Sequence, residues 1–192
     1  MIPTTEQVVA ALIGAWRLFR FDARGHAVLD RSVDGFWRSF FCAALIAPFY
    51  AVLVAMRMEP AELQSPLLRV VLIEAIGYVT AWVAFPLAMF YLSQSLERSL
   101  HYIGYIVAYN WCAAPQVLLM LLVSIVRELG VFPDLFLTGL QLGATVYGWA
   151  VLWFVAHSAL AISRGTAALI VVVDLLISLL VAVIVQSMLR TM

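Results

Sequence analysis

Residues Leu96–Glu128 read LERSLHYIGYIVAYNWCAAPQVLLMLLVSIVRE, and the fold is decided by how this stretch is read. Its middle is an apolar run of about 24 residues, more than the roughly 20 that a helix needs to cross a bilayer. Asn110, Pro115 and Gln116 interrupt that run. An amide in hydrocarbon needs a hydrogen-bond partner, so a helix carrying Asn110 and Gln116 belongs inside a bundle, away from lipid. Helical spacing sets Gly104, Ala108 and Cys112 on one face, a strip flat enough for another helix to come close.

The composition agrees. Of the 192 residues 65% are hydrophobic and 11% charged, and the mean hydropathy is +1.04. A soluble domain is about 45–50% apolar and about 25% charged, so the apolar excess faces lipid. With formal net charge zero the chain has no nucleic-acid footprint. Cys42 and Cys112 both fall within spans, where a thiol packs as a small apolar group, and neither a disulfide nor a metal site is expected. The start of the chain, with Glu6 in place of a basic region, does not read as a signal peptide.

Outward from the opening stretch, four more spans are expected, at residues 36–56, 67–92, 134–157 and 167–189. The third lies within Leu96–Glu128. Pro48 and Pro86 are expected kinks. Residues 4–20 read as an amphipathic helix, with Thr4 and Gln7 at capping-box spacing. Val8, Val9, Leu12, Trp16 and Phe19 make its apolar stripe, so it lies either at the headgroup level or on the inner end of the bundle. The loop at 21–35 alternates charges, and Asp34 is placed to cap the next helix. The expected architecture is all-α. Residues 1–35 form the amphipathic helix and polar loop, and residues 36–192 a five-helix transmembrane domain.

Five spans put the chain ends on opposite sides. Arg17, Arg20, Arg24, Arg31, Arg38, Arg98 and Arg164 fall on the side of the N-terminus. Arg57, Arg69, Arg127 and Arg190 fall on the other, with Glu59, Glu62, Glu128 and Asp134. That bias predicts a cytoplasmic N-terminus and an external C-terminus. A bacterial inner membrane is the expected location.

Ionisable groups inside a span are the candidate functional residues. Glu74 lies near the start of the second span and Asp174 near the start of the fifth, in opposite thirds of the bilayer. By depth, Asn110 matches Asp174 and Gln141 matches Glu74. Each acid is expected to be a polar clamp between helices, with a proton- or cation-coupled role as the alternative. Gly139 and Gly143 form a GxxxG pair in the fourth span, expected to pack on the Gly104–Ala108 face of the third or to serve a dimer. No HExxH, GxSxG, CxxC or phosphate-cradling loop is present. His26, His101 and His157 stand singly at loops or span ends. His157 and Ser158 point about 100° apart on a helix and do not act as a pair. No enzyme activity and no cofactor are expected.

Two passages resemble the Yip-domain family of small five-helix membrane proteins. One is Gly104-Tyr105 with Pro115 ten residues on, preceded by the polar turn SQSLERSL. The other is VYGWAVLWFVAHSALAISRGTAALIVVVDLLISLL, an aromatic-rich span, a Ser-Arg-Gly turn and a final span. The likeness covers roughly residues 36–189 and implies a five-helix layout. Eukaryotic members are tied to vesicle traffic and Rab-type GTPases. Their long polar N-terminal region with its acidic Gly-Pro motif has no counterpart here, so no functional residue is carried over. The function expected is that of a non-enzymatic scaffold, a membrane-organising factor or a subunit of a membrane complex. The alternative is a small transporter using Glu74 or Asp174. The expected partners are the lipid bilayer and other membrane proteins or a second copy of the chain.

Overall fold

The computed structural model describes residues 2–58 and 66–190. Glu59 and Glu62, counted above on the side of the C-terminus, and Met192 lie outside the described residues. The elements are α1 (Thr5–Phe19), a 3-10 turn (Ala23–Ala27), α2 (Val33–Ser39), α3 (Phe41–Arg57), α4 (Leu67–Ser95), α5 (Ser99–Glu128), α6 (Asp134–Leu160) and α7 (Arg164–Arg190). No strand occurs among the described residues. Five helical segments are long and apolar enough to cross a membrane, Val33–Arg57 counting as one. The protein is an all-α, multi-pass integral membrane protein.

Each span runs a few residues past its hydropathy limits, because a helix continues into its turn until a cap or a left-handed residue stops it. α6 ends where Ala161 turns left-handed at φ 51°. The first span differs more. It begins at Val33, with Ser32 accepting from the Gly35 amide at 3.0 Å. Ser32 is therefore the cap, and Asp34 sits in the first turn. Phe40, between α2 and α3, keeps right-handed helical backbone angles, so the two run on as one span.

α5 is the axis of the bundle, packing on α1, α2, α3, α4 and α6, while α7 packs on α4 and α6. In its most apolar window 50% of α5 is buried, against 6% for α7, so α5 is a core helix and α7 a lipid-facing one. Pro48 takes a donor out of the α3 ladder, and five residues before it the Ala43 carbonyl accepts the Tyr78 hydroxyl at 2.7 Å. At the far end α4 and α7 touch closely. A methyl added at Gly77 would collide with Val185, and Arg69 donates to the Met188 carbonyl at 3.0 Å.

The N-terminal segment shares the core of the spans. α1 buries Ala11, Gly14, Ala15, Leu18 and Phe19, in one cluster with Tyr105, Ala108 and Cys112 of α5. Of the expected stripe, Phe19 is buried and Val8 and Leu12 pack on the core, while Val9 and Trp16 are half exposed. Beside them Ala11, Gly14 and Ala15 allow close approach to α5. The capping box at Thr4 and Gln7 is present. At the other end of α1 the Phe19 carbonyl accepts the Tyr147 hydroxyl of α6 at 2.7 Å.

Candidate functional site: an acid-bearing cleft between α3, α4, α5 and α7

α7 buries four residues, Ala167, Ile170, Asp174 and Leu189, so the one acid of this helix points inward. Tyr109 of α5 donates its hydroxyl to Asp174 Oδ1 at 2.7 Å. Asp174 and Tyr109 line a cavity of about 260 Å3 with Tyr50, Tyr78, Trp82 and Gln116. The aromatic wall is continuous. Tyr50 and Tyr78 lie 4.7 Å apart between ring centres, and Tyr78 and Trp82 lie 6.1 Å apart. Phe85 backs Tyr109 at 4.5 Å. A second cavity of about 230 Å3 holds Glu74, Arg57 and Gln186. The two cavities share Tyr50, Ala81 and Ser178 as lining residues and so adjoin. Glu74 and Asp174 do not meet in one site, but both open into one cleft.

The pairing by depth needs correcting. Asn110 does not hold Asp174. It is fully buried and donates to Ser39 Oγ at 2.8 Å, and Ser39 donates to the Phe36 carbonyl at 2.7 Å. Neighbouring residues on a helix diverge by about 100°, so Tyr109 faces α7 while Asn110 faces α2. Asn110 Oδ1 is buried without a partner among the described residues. Gln141 does not face Glu74 either, since its amide lies 3.5 Å from Met120 Sδ. Gln116 lines the Asp174 cavity from α5, and a Cβ at Gly148 would sit 3.3 Å from its Oε1.

The small-residue seam is also placed elsewhere. Among the described residues nothing outside their own helix backbone lies within 4 Å of a Cβ added at Gly139 or Gly143. α6 packs on α5 with a different face, which buries Ala144, Gly148, Val151 and Val155. The expected α5 strip is close-packed, but on the N-terminal segment. Gly104 faces the Arg31 side chain, with a Cβ 2.9 Å from Arg31 Cδ, and Cys112 Sγ lies 4.0 Å from the Ala15 carbonyl. Cys42 and Cys112 are free and buried.

The sequence left the histidines isolated, and the fold brings two of them together. His26, Arg31, His101 and Ser158 line a cavity of about 420 Å3 at the end of the bundle where α5 begins and α6 ends. Their spacing in sequence carries no signal for this. Three turns bring them together, and Phe21, Glu97 and Ala161 in those turns each have positive φ. Among the described residues no three His, Cys, Asp or Glu side chains come together as a metal site.

Comparison of the chain with protein-family models, curated proteins and solved structures gives no match.

Proposed function

We propose that this membrane protein binds a small cation in the α3–α4–α5–α7 cleft and acts as a small proton- or cation-coupled transporter, carrying its ligand without chemical change. The observation that supports this reading is the position of Asp174. It is an inward acid beside a cavity walled by Tyr50, Tyr78, Trp82 and Tyr109. A carboxylate in hydrocarbon costs at least about 2.5–3.5 kcal/mol on insertion scales, and a bound proton or cation offsets that cost. Ring faces add attraction for a cation within about 6 Å of their centres, most of all where water is excluded. Glu74 and Arg57 in the adjoining cavity extend the polar lining toward the far end of the bundle.

The test is proton and methylammonium flux in vesicles holding the purified chain, with Asp174→Asn beside the parent. The variant keeps an oxygen for the Tyr109 hydroxyl, so it folds, and flux is expected to be lost. Equal flux in parent and folded variant, or none above empty vesicles in either, rejects the transporter reading.

One observation favours the second reading, a scaffold or a subunit of a membrane complex. The Gly139–Gly143 face of α6 is open, and GxxxG faces in apolar helices promote close helix pairing. Under that reading Gly143→Leu breaks an oligomer or complex that the parent forms in mild detergent. A layout like that of the Yip-domain family belongs with this second reading.

A further inference from the structure

The cavity at the start of α5 has a chemistry opposite to that of the Asp174 cleft. Its lining includes Arg31, His26, His101 and Ser158, and no acidic residue is among the residues that line it. Of the acids close in sequence, Asp22 and Asp30 are engaged elsewhere, and Glu97, exposed in the turn before α5, is not among the lining residues. Asp30 lies 3.6 Å from Arg38, and Asp22 lies 2.9 Å from Arg24. Arg31 has no carboxylate within salt-bridge distance among the described residues. Its aliphatic stem packs on Gly104, where a side chain would force it away.

The helix end adds to this. α5 has no side-chain cap and no acid in its first turn, and Arg98 occupies the cap position. A cation there opposes the helix dipole, whose N-terminus attracts anions. Leu100 and His101 of that first turn line the cavity. Arg98 Nε is itself buried and without a partner among the described residues. Burial first, and the Arg31 charge second, push His26 down to about 4. The smaller of these two causes, the Arg31 charge, is the one that also draws in an anion. Ser158 donates to the Phe154 carbonyl at 2.6 Å, so its lone pairs face His26 Nε2 at 2.8 Å and that nitrogen carries the proton. At the rim, Leu100 is 98% exposed, an apolar edge beside a basic pocket.

We propose that this cavity binds a phosphate group, held by the Arg31 guanidinium, His101 and the first turn of α5. Lipid headgroups and free phosphate share this chemistry, and basic pockets between membrane helices recognise phosphorylated headgroups in this way. The cavity volume lies in the range of about 300–1,000 Å3 that small-ligand sites occupy. The site is separate from the cation cleft and does not depend on it.

The test uses the purified full chain in neutral detergent and has two arms. In the first, inorganic phosphate is titrated against sodium chloride at matched ionic strength and the melting temperature is read. In the second, retention of phosphatidic acid is compared with that of phosphatidylcholine by native mass spectrometry. Stabilisation by phosphate alone identifies a free phosphate ligand, and selective retention of phosphatidic acid identifies a headgroup. In whichever arm responds, Arg31→Gln is expected to weaken binding about tenfold or more, and the exposed His101→Gln to weaken it with the fold intact. Arg24→Gln, which removes an equal charge outside the cavity, is expected to leave binding unchanged. No response in either arm overturns the proposal. So does an equal loss in Arg24→Gln and Arg31→Gln, because binding would then follow net charge instead of the cavity.

Discussion

The hydrogen bond between Tyr109 and Asp174 joins α5 to α7, and a double-mutant cycle measures what it contributes. Tyr109→Phe removes only the hydroxyl that reaches Asp174 Oδ1 at 2.7 Å. A hydrogen bond to a charged group is worth about 1.5–3 kcal/mol in soluble proteins. Cycles in membrane bundles average about 0.6 and reach about 1.7 kcal/mol, because the unfolded helices also find partners in lipid. Asp174 is buried on a helix that is otherwise mostly exposed, so the coupling belongs near the top of the membrane range, about 1–1.7 kcal/mol. The assay is unfolding of the parent, Tyr109→Phe, Asp174→Ala and the double variant in one detergent, with free energies compared around the cycle. A parallel cycle pairs Asn110→Ala with Asp174→Ala. Asn110 is bonded to Ser39, so these two changes should add within about 0.5 kcal/mol. A Tyr109 coupling below about 0.5 kcal/mol together with a larger Asn110 coupling would refute this assignment of partners.

Two further outcomes follow from the packing and the turns. Gly77→Ala meets Val185 and should lower stability by about 1–3 kcal/mol, whereas Gly139→Ala meets nothing in the same chain and should not. Equal melting temperatures for the two variants in detergent monomers would count against the α4–α7 contact. His26 is neutral in the folded chain, with its value depressed to about 4 from 6.5. The unfolded chain takes up the proton first, so stability is full above about pH 6.5 and falls between there and about pH 4. Asp22 and Asp30, held below the usual carboxyl range by hydrogen bonds from Arg24 and Ser32, lose their contribution only at more acid pH. Melting scans from pH 7.5 to 5 should show the decline in the parent and a flatter profile in His26→Gln.

Hydropathy made the five spans legible because lipid imposes length and composition on every crossing helix. Depth was legible too. Counting residues puts Asn110 and Asp174 at one level, and the structure finds Tyr109, the neighbour of Asn110, bonded to Asp174. Direction around the helix was not legible, since a shift of one residue turns a side chain by about 100° and selects a different neighbouring helix. The same uncertainty misplaced the glycines. A GxxxG pair shows that a face is flat, but not what lies against it, and Gly139 and Gly143 face open space while the unremarked Gly77 meets Val185. The stripe of α1 was legible in part: Val8, Leu12 and Phe19 pack into the core, while Val9 and Trp16 are half exposed. Ala11, Gly14 and Ala15 let α1 approach α5 closely, and Val9, Ile13 and Trp16 are left on the outer side.

The bond from Tyr147 to the end of α1 has a consequence for biosynthesis. Tyr147 follows Phe19 by 128 residues. At roughly 5–20 residues per second, the first helix leaves the ribosome about 6–25 s before its last partner exists. Until α5 is made, the face of α1 that it covers has no partner. Val9, Ile13 and Trp16, half exposed in the finished fold, give the waiting helix a second surface that suits the bilayer boundary. The helix can rest on the membrane by that side and dock by the other as α5 and then α6 arrive, so an element made early is fixed late.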